Sequence, residues 1–351
     1  MNDLKDRLLE GMAIPACPLA LEPNGTWSER HQGAVVNYYC DAGAGGIAVG
    51  VHTTQFEIRE PRYGLFEPVL ELCANRVESA TQQGQVKIKV AGICGETAQA
   101  VREAEIATRF GYDVGLLSMA ALKSWSEEAI VAHCREVAEV IPVFGFYLQP
   151  AVGGLDLSYD FWRGFAEIDN IVGIKIAAFN RYRTLDVIRA VVDAGRDDIA
   201  LYTGNDDHII GDLLTPFRFG SGDAVKTRWF SGGLLGQWAV WTERAVAMLE
   251  TIQRVRAADA VPVEWLTRNA QLTDANSAVF DSANGFAGCI PGINEILRRQ
   301  GLLPSSRCLN PDEVLSPGQT AEIDRVTAAY SWLVDDGFVV QNRDRWLQND
   351  S

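Results

Sequence analysis

A lysine interrupts an otherwise apolar segment, VGIKIAAF, at positions 172–179. The segment has the composition of a buried β-strand, and a lysine is rarely buried without a partner or a function. Burial disfavours the charged ammonium and therefore favours the neutral amine, which is a nucleophile toward carbonyl carbons. We interpret Lys175 as a candidate Schiff-base residue. The alternative is a structural lysine that is ion-paired across the interior of a barrel.

A tyrosine lies near the end of a second apolar segment, VFGFYLQP, at positions 143–150. If the two segments are neighbouring strands, the Tyr147 hydroxyl approaches the Lys175 amine and can act as a proton shuttle. A buried phenol also needs a hydrogen-bond partner. The alternative is therefore a core tyrosine that is bonded to a carbonyl group.

Residues that suit ligand binding follow two further apolar segments. They are His52, Thr53 and Thr54 after 46–51, and Gly204 and Asp206 after 199–203. Adjacent hydroxyl and peptide groups suit a carboxylate ligand, a glycine lets the backbone approach a ligand, and an aspartate accepts hydrogen bonds from substrate hydroxyls. The alternatives are a capped loop for the first group and helix N-capping for the aspartate.

The elements that must position these residues alternate regularly along the chain. Eight short apolar segments have the character of buried parallel strands: 14–20, 46–51, 87–93, 114–118, 143–148, 171–176, 199–203 and 217–225. Stretches with helical spacing separate them: 28–41, 65–82, 97–110, 126–140, 158–168 and 184–194. Ser28, Ser126 and Ser158 are predicted N-caps.

Eight such units predict an α/β fold, a (β/α)8 TIM barrel, in which catalytic groups collect at the carboxyl ends of the strands. The alternative, a doubly wound open sheet, is disfavoured because no G-x-G-x-x-G follows an early strand. We place the eighth strand within 217–228 and its helix at 231–254. We expect residues 1–257 to form the barrel and residues 258–351 a C-terminal helical extension, with helices at 265–280, 293–300 and 319–335.

Composition excludes several classes of function. A net charge of −15 argues against binding to nucleic acid or to an anionic membrane surface. Seven cysteines without a C-x-x-C pair and four histidines without H-E-x-x-H spacing predict no metal site, and no organic cofactor is expected. No apolar run approaches the ~20 residues of a membrane span, and the first residues lack a signal-peptide pattern. We therefore expect a cytoplasmic location.

The chain resembles the dihydrodipicolinate synthase / N-acetylneuraminate lyase family of class I aldolases. Residues 173–177 (GIKIA) are similar to the G-I-K-x-[AS] strand of the family, and residues 146–150 (FYLQP) resemble its Y-N-x-P strand, of which Tyr147 and Pro150 are kept. Residues 204–207 (GNDD) and 289–293 (CIPGI) resemble its later turn and helix. The resemblance implies that Lys175 attacks the ketone of a 2-oxo acid such as pyruvate, that Tyr147 relays protons, and that the protein is a homo-oligomer, a dimer or a tetramer.

Three departures from the family pattern bear on the substrate. Residues 50–55 (GVHTTQ) replace the G-[TS]-T-G-E carboxylate loop, so that Thr53, with His52 as an added donor, is the favoured contact. Residues 117–121 lack the second tyrosine of the synthases, although Ser118 falls where the family has a hydroxyl group; its alternative role is that of a satisfied strand serine. Residues 151–154 lack the arginine that binds the aldehyde carboxylate. These departures favour a less charged aldehyde or a sugar-derived 2-oxo acid over the lysine-biosynthetic substrate.

The predicted function is that of a lyase, a Schiff-base aldolase that reversibly cleaves or forms a C–C bond of pyruvate or a pyruvate-derived 2-oxo acid. The first alternative is a dehydratase or a hydratase-aldolase that acts through the same lysine imine. The second is a barrel that binds a 2-oxo acid without turnover. A mere binder has no need of a buried amine beside a phenol, so Lys175 and Tyr147 together favour an enzyme.

Overall fold

A ring of parallel strands forms the centre of the computed structural model, which describes residues 2–82, 87–258 and 260–348. The strands are β1 (Ala13–Pro15), β2 (Gly46–Val49), β3 (Ile88–Ile93), β4 (Val114–Ser118), β5 (Val143–Leu148), β6 (Ile171–Ala177), β7 (Ala200–Thr203), β8 (Phe217–Phe219), β9 (Lys226–Arg228) and β10 (Gly232–Leu235). Eight of them pair in parallel in the order β1-β10-β7-β6-β5-β4-β3-β2. A parallel bridge between Ala16 and Ala48 joins the first strand to the last. The predicted (β/α)8 barrel is confirmed.

Helices connect the strands and continue beyond the barrel. They are α1 (Asn2–Glu10), α2 (Glu29–Asp41), α3 (Phe66–Gln82), α4 (Thr97–Arg109), α5 (Glu127–Ala138), α6 (Tyr159–Ala166), α7 (Arg181–Asp193), α8 (Ile209–Leu214), α9 (Thr242–Arg256), α10 (Glu264–Val279), α11 (Cys289–Arg299), α12 (Gln319–Ala329) and α13 (Asp336–Trp346). Ser126 and Ser158 cap α5 and α6, where each hydroxyl accepts a hydrogen bond from a backbone N–H. Ser28 precedes α2, but its hydroxyl pairs with His31 instead.

The eighth barrel strand lies outside the predicted segment. Residues 217–228 form the antiparallel pair β8–β9, which is separate from the barrel sheet, and the barrel is completed by β10. A barrel strand is buried on both faces, whereas most side chains of 217–228 are partly or fully exposed. β10 escaped prediction because it begins with two glycines: a Cβ at Gly232 would lie 2.2 Å from the carbonyl oxygen of Met12. The prediction of a helix from residue 231 was also wrong, since α9 begins at Thr242.

Side chains alternate between the barrel interior and the helical layer. In β5, Phe144 and Phe146 belong to the interior cluster, whereas Tyr147 belongs to the outer core between sheet and helices. The β5–β6 ladder contains one irregularity: Val143 pairs with Ile171, but Phe144 pairs with Gly173, which leaves one extra residue in β6. The residue that pairs with Lys175 is therefore Phe146.

The C-terminal helices α10–α13 follow α9; α10 packs against α8 and α13 against α2, whereas α12 packs against α10 and α11. A buried carboxylate, Asp335, joins the two parts: it accepts hydrogen bonds from the Tyr38 hydroxyl at 2.7 Å and from Gln300 Nε2 at 2.9 Å. The helix predicted at 319–335 ends earlier, at Ala329, and α13 is a further helix that the sequence pattern did not reveal. Among the described residues, no helix combines the length and the apolar character needed to cross a membrane.

Candidate active site

Lys175 lies inside the barrel near the carboxyl end of β6, with 8% of its surface exposed. Its Nζ atom is 4.3 Å from the centroid of the Phe146 ring, the residue beside it on β5. Burial lowers the pKa of the lysine, and the charge of Asp206 opposes that shift. The neutral amine is therefore more populated at neutral pH than for an exposed lysine, which is the condition for nucleophilic attack on a carbonyl.

Gly204 provides the space that the lysine side chain occupies. Its peptide N–H donates to the carbonyl oxygen of Ile176 at 2.7 Å, so β6 and β7 lie close together here. A Cβ at this position would lie 2.7 Å from Lys175 Cε and 2.8 Å from Ala177 Cβ. The absence of a side chain at Gly204 thus lets the lysine extend along the strand end toward the cavity.

Asp206 is half-buried and lines the same cavity as Lys175. Its Oδ1 atom accepts a hydrogen bond from the peptide N–H of Gln237 at 3.3 Å, which fixes the carboxyl group at the end of β7. Burial raises the pKa of Asp206, and the charge of Lys175 opposes the shift. The lysine and the aspartate therefore interact electrostatically, and the charge of each favours the charged form of the other.

The structure does not bring Tyr147 to the lysine. Its ring packs against Trp162 of α6 with centroids 5.3 Å apart, and its hydroxyl donates to Asp156 Oδ1 at 3.2 Å. Burial, with Asp156 as the second cause, raises the pKa of this phenol to about 12. The expected approach of Tyr147 to Lys175 is wrong because the extra residue in β6 shifts the register, so that Tyr147 pairs with the outward-facing Ile176.

The hydroxyls of the two threonines after β2 bond to the backbone, and of these two residues Thr53 lines the cavity whereas Thr54 does not. Thr53 Oγ1 donates to the carbonyl oxygens of Ala16 and Cys17 at 2.9 and 3.3 Å. Thr54 Oγ1 donates to Cys17 O at 2.6 Å and accepts from the peptide N–H groups of Gly50 and Val51. The expectation that these hydroxyls contact a carboxylate is therefore not met, since the backbone already occupies them.

His52 does line the cavity, and it lies in the first turn of a short 3-10 helix. Burial, followed by the charge of Lys175, lowers the pKa of His52 to about 4. The imidazole is therefore neutral at physiological pH and can donate one hydrogen bond and accept another. The first peptide N–H groups of a helix have no partner within it, so this turn keeps backbone donors as well.

Ser118 lies at the end of β4 and is buried, but it is not among the residues that line the cavity. Its Oγ is 3.4 Å from the peptide N–H of Ala120, from which it accepts a long hydrogen bond. This is the alternative role that the sequence left open, a strand serine satisfied by the following turn.

The cavity lies at the carboxyl ends of the strands, and its lining is mostly apolar with a few polar side chains, which is typical of a small-molecule site. Its wall includes aromatic and thiol groups that were not predicted as site residues, namely Phe146, Phe179, Phe280, Phe286 and Cys289. The position of Phe146 beside Lys175 depends on the extra residue in β6, which the sequence does not reveal. The last three come from the C-terminal extension, and no sequence pattern indicates that they return to the mouth of the barrel.

A buried acid behind the cavity links the ends of β6 and β7. Asp212 accepts hydrogen bonds from Thr203 Oγ1 at 2.7 Å and from Asn205 Nδ2 at 2.9 Å, and it pairs with Arg181. The other end of the Asn205 amide accepts from the N–H of Phe179 at 2.9 Å. This contact supports Phe179 in a left-handed conformation (φ 49°), which a bulky residue rarely adopts.

No group of three or more His, Cys, Asp or Glu side chains within the described residues is arranged to hold a metal ion.

The sequence profile of the dihydrodipicolinate synthetase family matches residues 12–217, which is more than half of the chain. The chain belongs to the dihydrodipicolinate synthetase family. Members of this family are lyases. The matched segment contains β1–β7, and with them Lys175, Gly204 and Asp206.

Curated relatives share limited sequence identity with this chain. The 4-hydroxy-tetrahydrodipicolinate synthase of Aromatoleum aromaticum is 31% identical over 175 residues, which are 49% of this chain and 56% of that protein. The chain therefore spans little more than half the length of this curated relative.

Several solved structures share the fold over nearly the whole chain. CdNal from Clostridium difficile, solved with mannosamine, has a TM-score of 0.72 at 15% identity and covers 91% of this chain and 99% of its own. N-acetylneuraminate lyase from Fusobacterium nucleatum has a TM-score of 0.69 at 15% identity and covers 93% and 100%. At these identities the likeness establishes the barrel and its helical extension.

Proposed function

We propose that the protein is a Schiff-base lyase that makes or breaks a C–C bond of pyruvate or a pyruvate-derived 2-oxo acid. The observation that carries the proposal is Lys175, a buried amine with a lowered pKa that lines an enclosed cavity at the carboxyl end of a barrel. Membership in a family of lyases supports the reaction class. The chemistry of a primary amine in an apolar cavity supports condensation with a ketone.

In the proposed reaction, the Nζ of Lys175 attacks the ketone carbon of the 2-oxo acid, and the resulting carbinolamine loses water to give an iminium ion. The iminium withdraws electrons, so a proton or a C–C bond at the adjacent carbon can be released to give an enamine. The same steps in reverse form a bond between that carbon and an aldehyde. Each direction needs a group that gives and takes protons near the lysine.

Asp206 is the group that we propose for this proton transfer. It lines the cavity with Lys175, and its raised pKa brings it closer to neutral pH, where a carboxyl group exchanges protons most effectively. Tyr147 is excluded from the role in this proposal because its hydroxyl is engaged with Asp156 in the outer layer. For the substrate carboxylate we propose the imidazole of His52 and the backbone N–H groups of its turn.

Dehydration, or hydration followed by aldol cleavage, would use the same imine and the same carboxyl group. The enamine is common to all of these reactions. The residues that distinguish one reaction from another are therefore those around the second substrate.

Trapping of the imine tests the proposed function. The wild-type protein is incubated with pyruvate and borohydride, and its intact mass is measured. We expect one reduced pyruvyl adduct per chain, and its loss in Lys175→Ala. An unmodified wild-type protein, under conditions that trap a control Schiff-base aldolase, would refute the proposal for pyruvate.

A further inference from the structure

Three phenylalanines form the wall of the cavity above Lys175. Phe179 comes from the connection between β6 and α7, whereas Phe280 and Phe286 come from the connection between α10 and α11. The rings of Phe179 and Phe286 meet edge to face, with centroids 6.2 Å apart and an angle of 76° between their planes. Ile293 of α11 adds an aliphatic surface. A molecule that approaches the lysine from the mouth of the barrel therefore meets apolar groups.

The lining offers little to a second charged or polyhydroxylated group. Its ionisable residues are His52, Lys175, Asp206 and Cys289, of which the imidazole is neutral and the lysine is consumed in the imine. Within the part of the chain that the structure describes, no arginine lines the cavity, and the nearby Arg181 and Arg183 pair with Asp212 and Asp156. A buried carboxylate or phosphate without a counter-charge is strongly disfavoured.

Hydroxyl-binding groups are also few in the lining. The Thr53 hydroxyl donates to Ala16 and Cys17, which leaves Gln149, His52 and Asp206 as the polar side chains that can contact a ligand. A sugar chain with several hydroxyl groups would lose more hydrogen bonds with water than these three side chains replace. The wall therefore disfavours the sugar-derived substrate that the sequence left open.

A second cavity of about 370 Å³, open solvent included, adjoins the first. It shares four lining residues with the first cavity: Phe179, Asp206, Phe280 and Phe286. Its Thr273 and Ser277 hydroxyls already donate to backbone carbonyls, at 2.8 Å in both cases. Its remaining lining residues are Asp207, Asn276 and Ser282, so the three shared phenylalanines are the apolar surface that the two cavities have in common.

We infer that the second substrate of this site is a neutral, apolar carbonyl compound, and that an aromatic aldehyde fits it best; the inference rests on the proposed Schiff-base function. In the condensing direction, the enamine carbon derived from the methyl group of pyruvate forms a bond to the aldehyde carbon. The electron pair of the aldehyde C=O bond moves to its oxygen, which takes a proton from Asp206. Water then hydrolyses the iminium, releases the product as a 4-hydroxy-2-oxo acid and frees Lys175.

A panel of aldehydes tests the inference with the wild-type protein. Pyruvate is supplied with benzaldehyde, with succinic semialdehyde or with glyceraldehyde, and the 4-hydroxy-2-oxo acid products are quantified by mass spectrometry. We expect benzaldehyde to react at least ~10-fold faster than the anionic and the hydroxylated aldehydes, because only the first meets complementary groups. Faster reaction of either of the other two aldehydes would overturn the inference.

Trapping of the pyruvate adduct in the same protein sample separates the two proposals. An adduct together with a preference for a charged or hydroxylated aldehyde overturns the inference and leaves the Schiff-base function in place. The lack of any adduct refutes the proposed function and the inference with it.

A matched pair of variants checks that the wall is responsible. Phe280→Leu removes an aromatic ring from the wall, and Phe217→Leu makes the same change in the β8–β9 hairpin, which contributes nothing to either cavity. We expect Phe280→Leu to lower the preference for benzaldehyde over glyceraldehyde by ~10-fold, and Phe217→Leu to leave it unchanged. Equal preferences in both variants and the wild type would contradict the assignment of the wall.

Discussion

Substitution of Gly204 by alanine should displace the nucleophile without removing it. The new Cβ would lie 2.7 Å from Lys175 Cε and 2.8 Å from Ala177 Cβ. Carbon atoms make their best contact at ~3.5–4.0 Å, so the lysine side chain has to move by nearly 1 Å. Overpacking of this kind costs about 1–3 kcal/mol of the free energy of unfolding, and a misplacement of ~1 Å at a reacting atom slows a reaction by up to ~10²-fold.

The assay is the rate of pyruvate trapping by borohydride, together with urea unfolding of the same samples. We expect Gly204→Ala to be trapped at least ~10-fold more slowly than the wild type. Gly164→Ala is the matched control: its Cβ would lie 3.6 Å from Val131, an ordinary contact, and alanine in helix α6 should add about 0.5–1 kcal/mol of stability. A Gly204→Ala protein with the wild-type trapping rate and stability would refute the proposed position of the lysine.

Three further changes test other parts of the site. Asp206→Asn removes the charge that raises the pKa of Lys175, so the amine becomes neutral at lower pH. The trapping rate should therefore reach half its maximum at a lower pH than in the wild type. An unchanged or higher midpoint would contradict the electrostatic interaction between Asp206 and Lys175. Tyr147→Phe should keep wild-type turnover, because the Tyr147 hydroxyl bonds to Asp156 rather than to a group in the cavity. It should lower the free energy of unfolding, measured in urea, by about 1 kcal/mol. A ~10²-fold loss of turnover would instead identify Tyr147 as the proton shuttle. Thr54→Val removes a hydroxyl that bonds three backbone groups, and it should lower the free energy of unfolding by about 1–3 kcal/mol. Thr54→Ser keeps the hydroxyl and should lose much less stability. Equal stabilities of the two variants would show that the loop does not depend on this hydroxyl.

The barrel could be predicted from the sequence because each buried parallel strand is a short apolar run followed by an amphipathic helix. The rule failed where those physical conditions changed. β10 contains two glycines, and close contacts with Met12 and Trp238 take the place of side-chain burial there. The apolar residues at 217–225 have the sequence character of a barrel strand, but they lie in an exposed hairpin outside the barrel sheet.

The site was predictable only as far as local sequence determines it. Lys175, Gly204 and Asp206 lie at strand ends, where the fold requires a ligand site, and they line one cavity. The orientation of Tyr147 depends on a single extra residue in β6, and a shift of one residue moves a side chain to the other face of a strand. The phenylalanine wall depends on contacts between the extension and the barrel, which no local pattern encodes.

The location of the pyruvate adduct tests the central claim most directly. The chain has six lysines, and Lys87, which precedes β3, is also largely buried with a pKa lowered by burial. Burial alone would therefore allow either lysine to react. Of the two, Lys175 is among the described residues that line the cavity at the carboxyl end of the strands, and Lys87 is not. Peptide mapping of the borohydride-reduced protein should find the adduct on Lys175, and Lys87→Ala should be modified like the wild type. An adduct on Lys87, or one that persists in Lys175→Ala, would contradict the account.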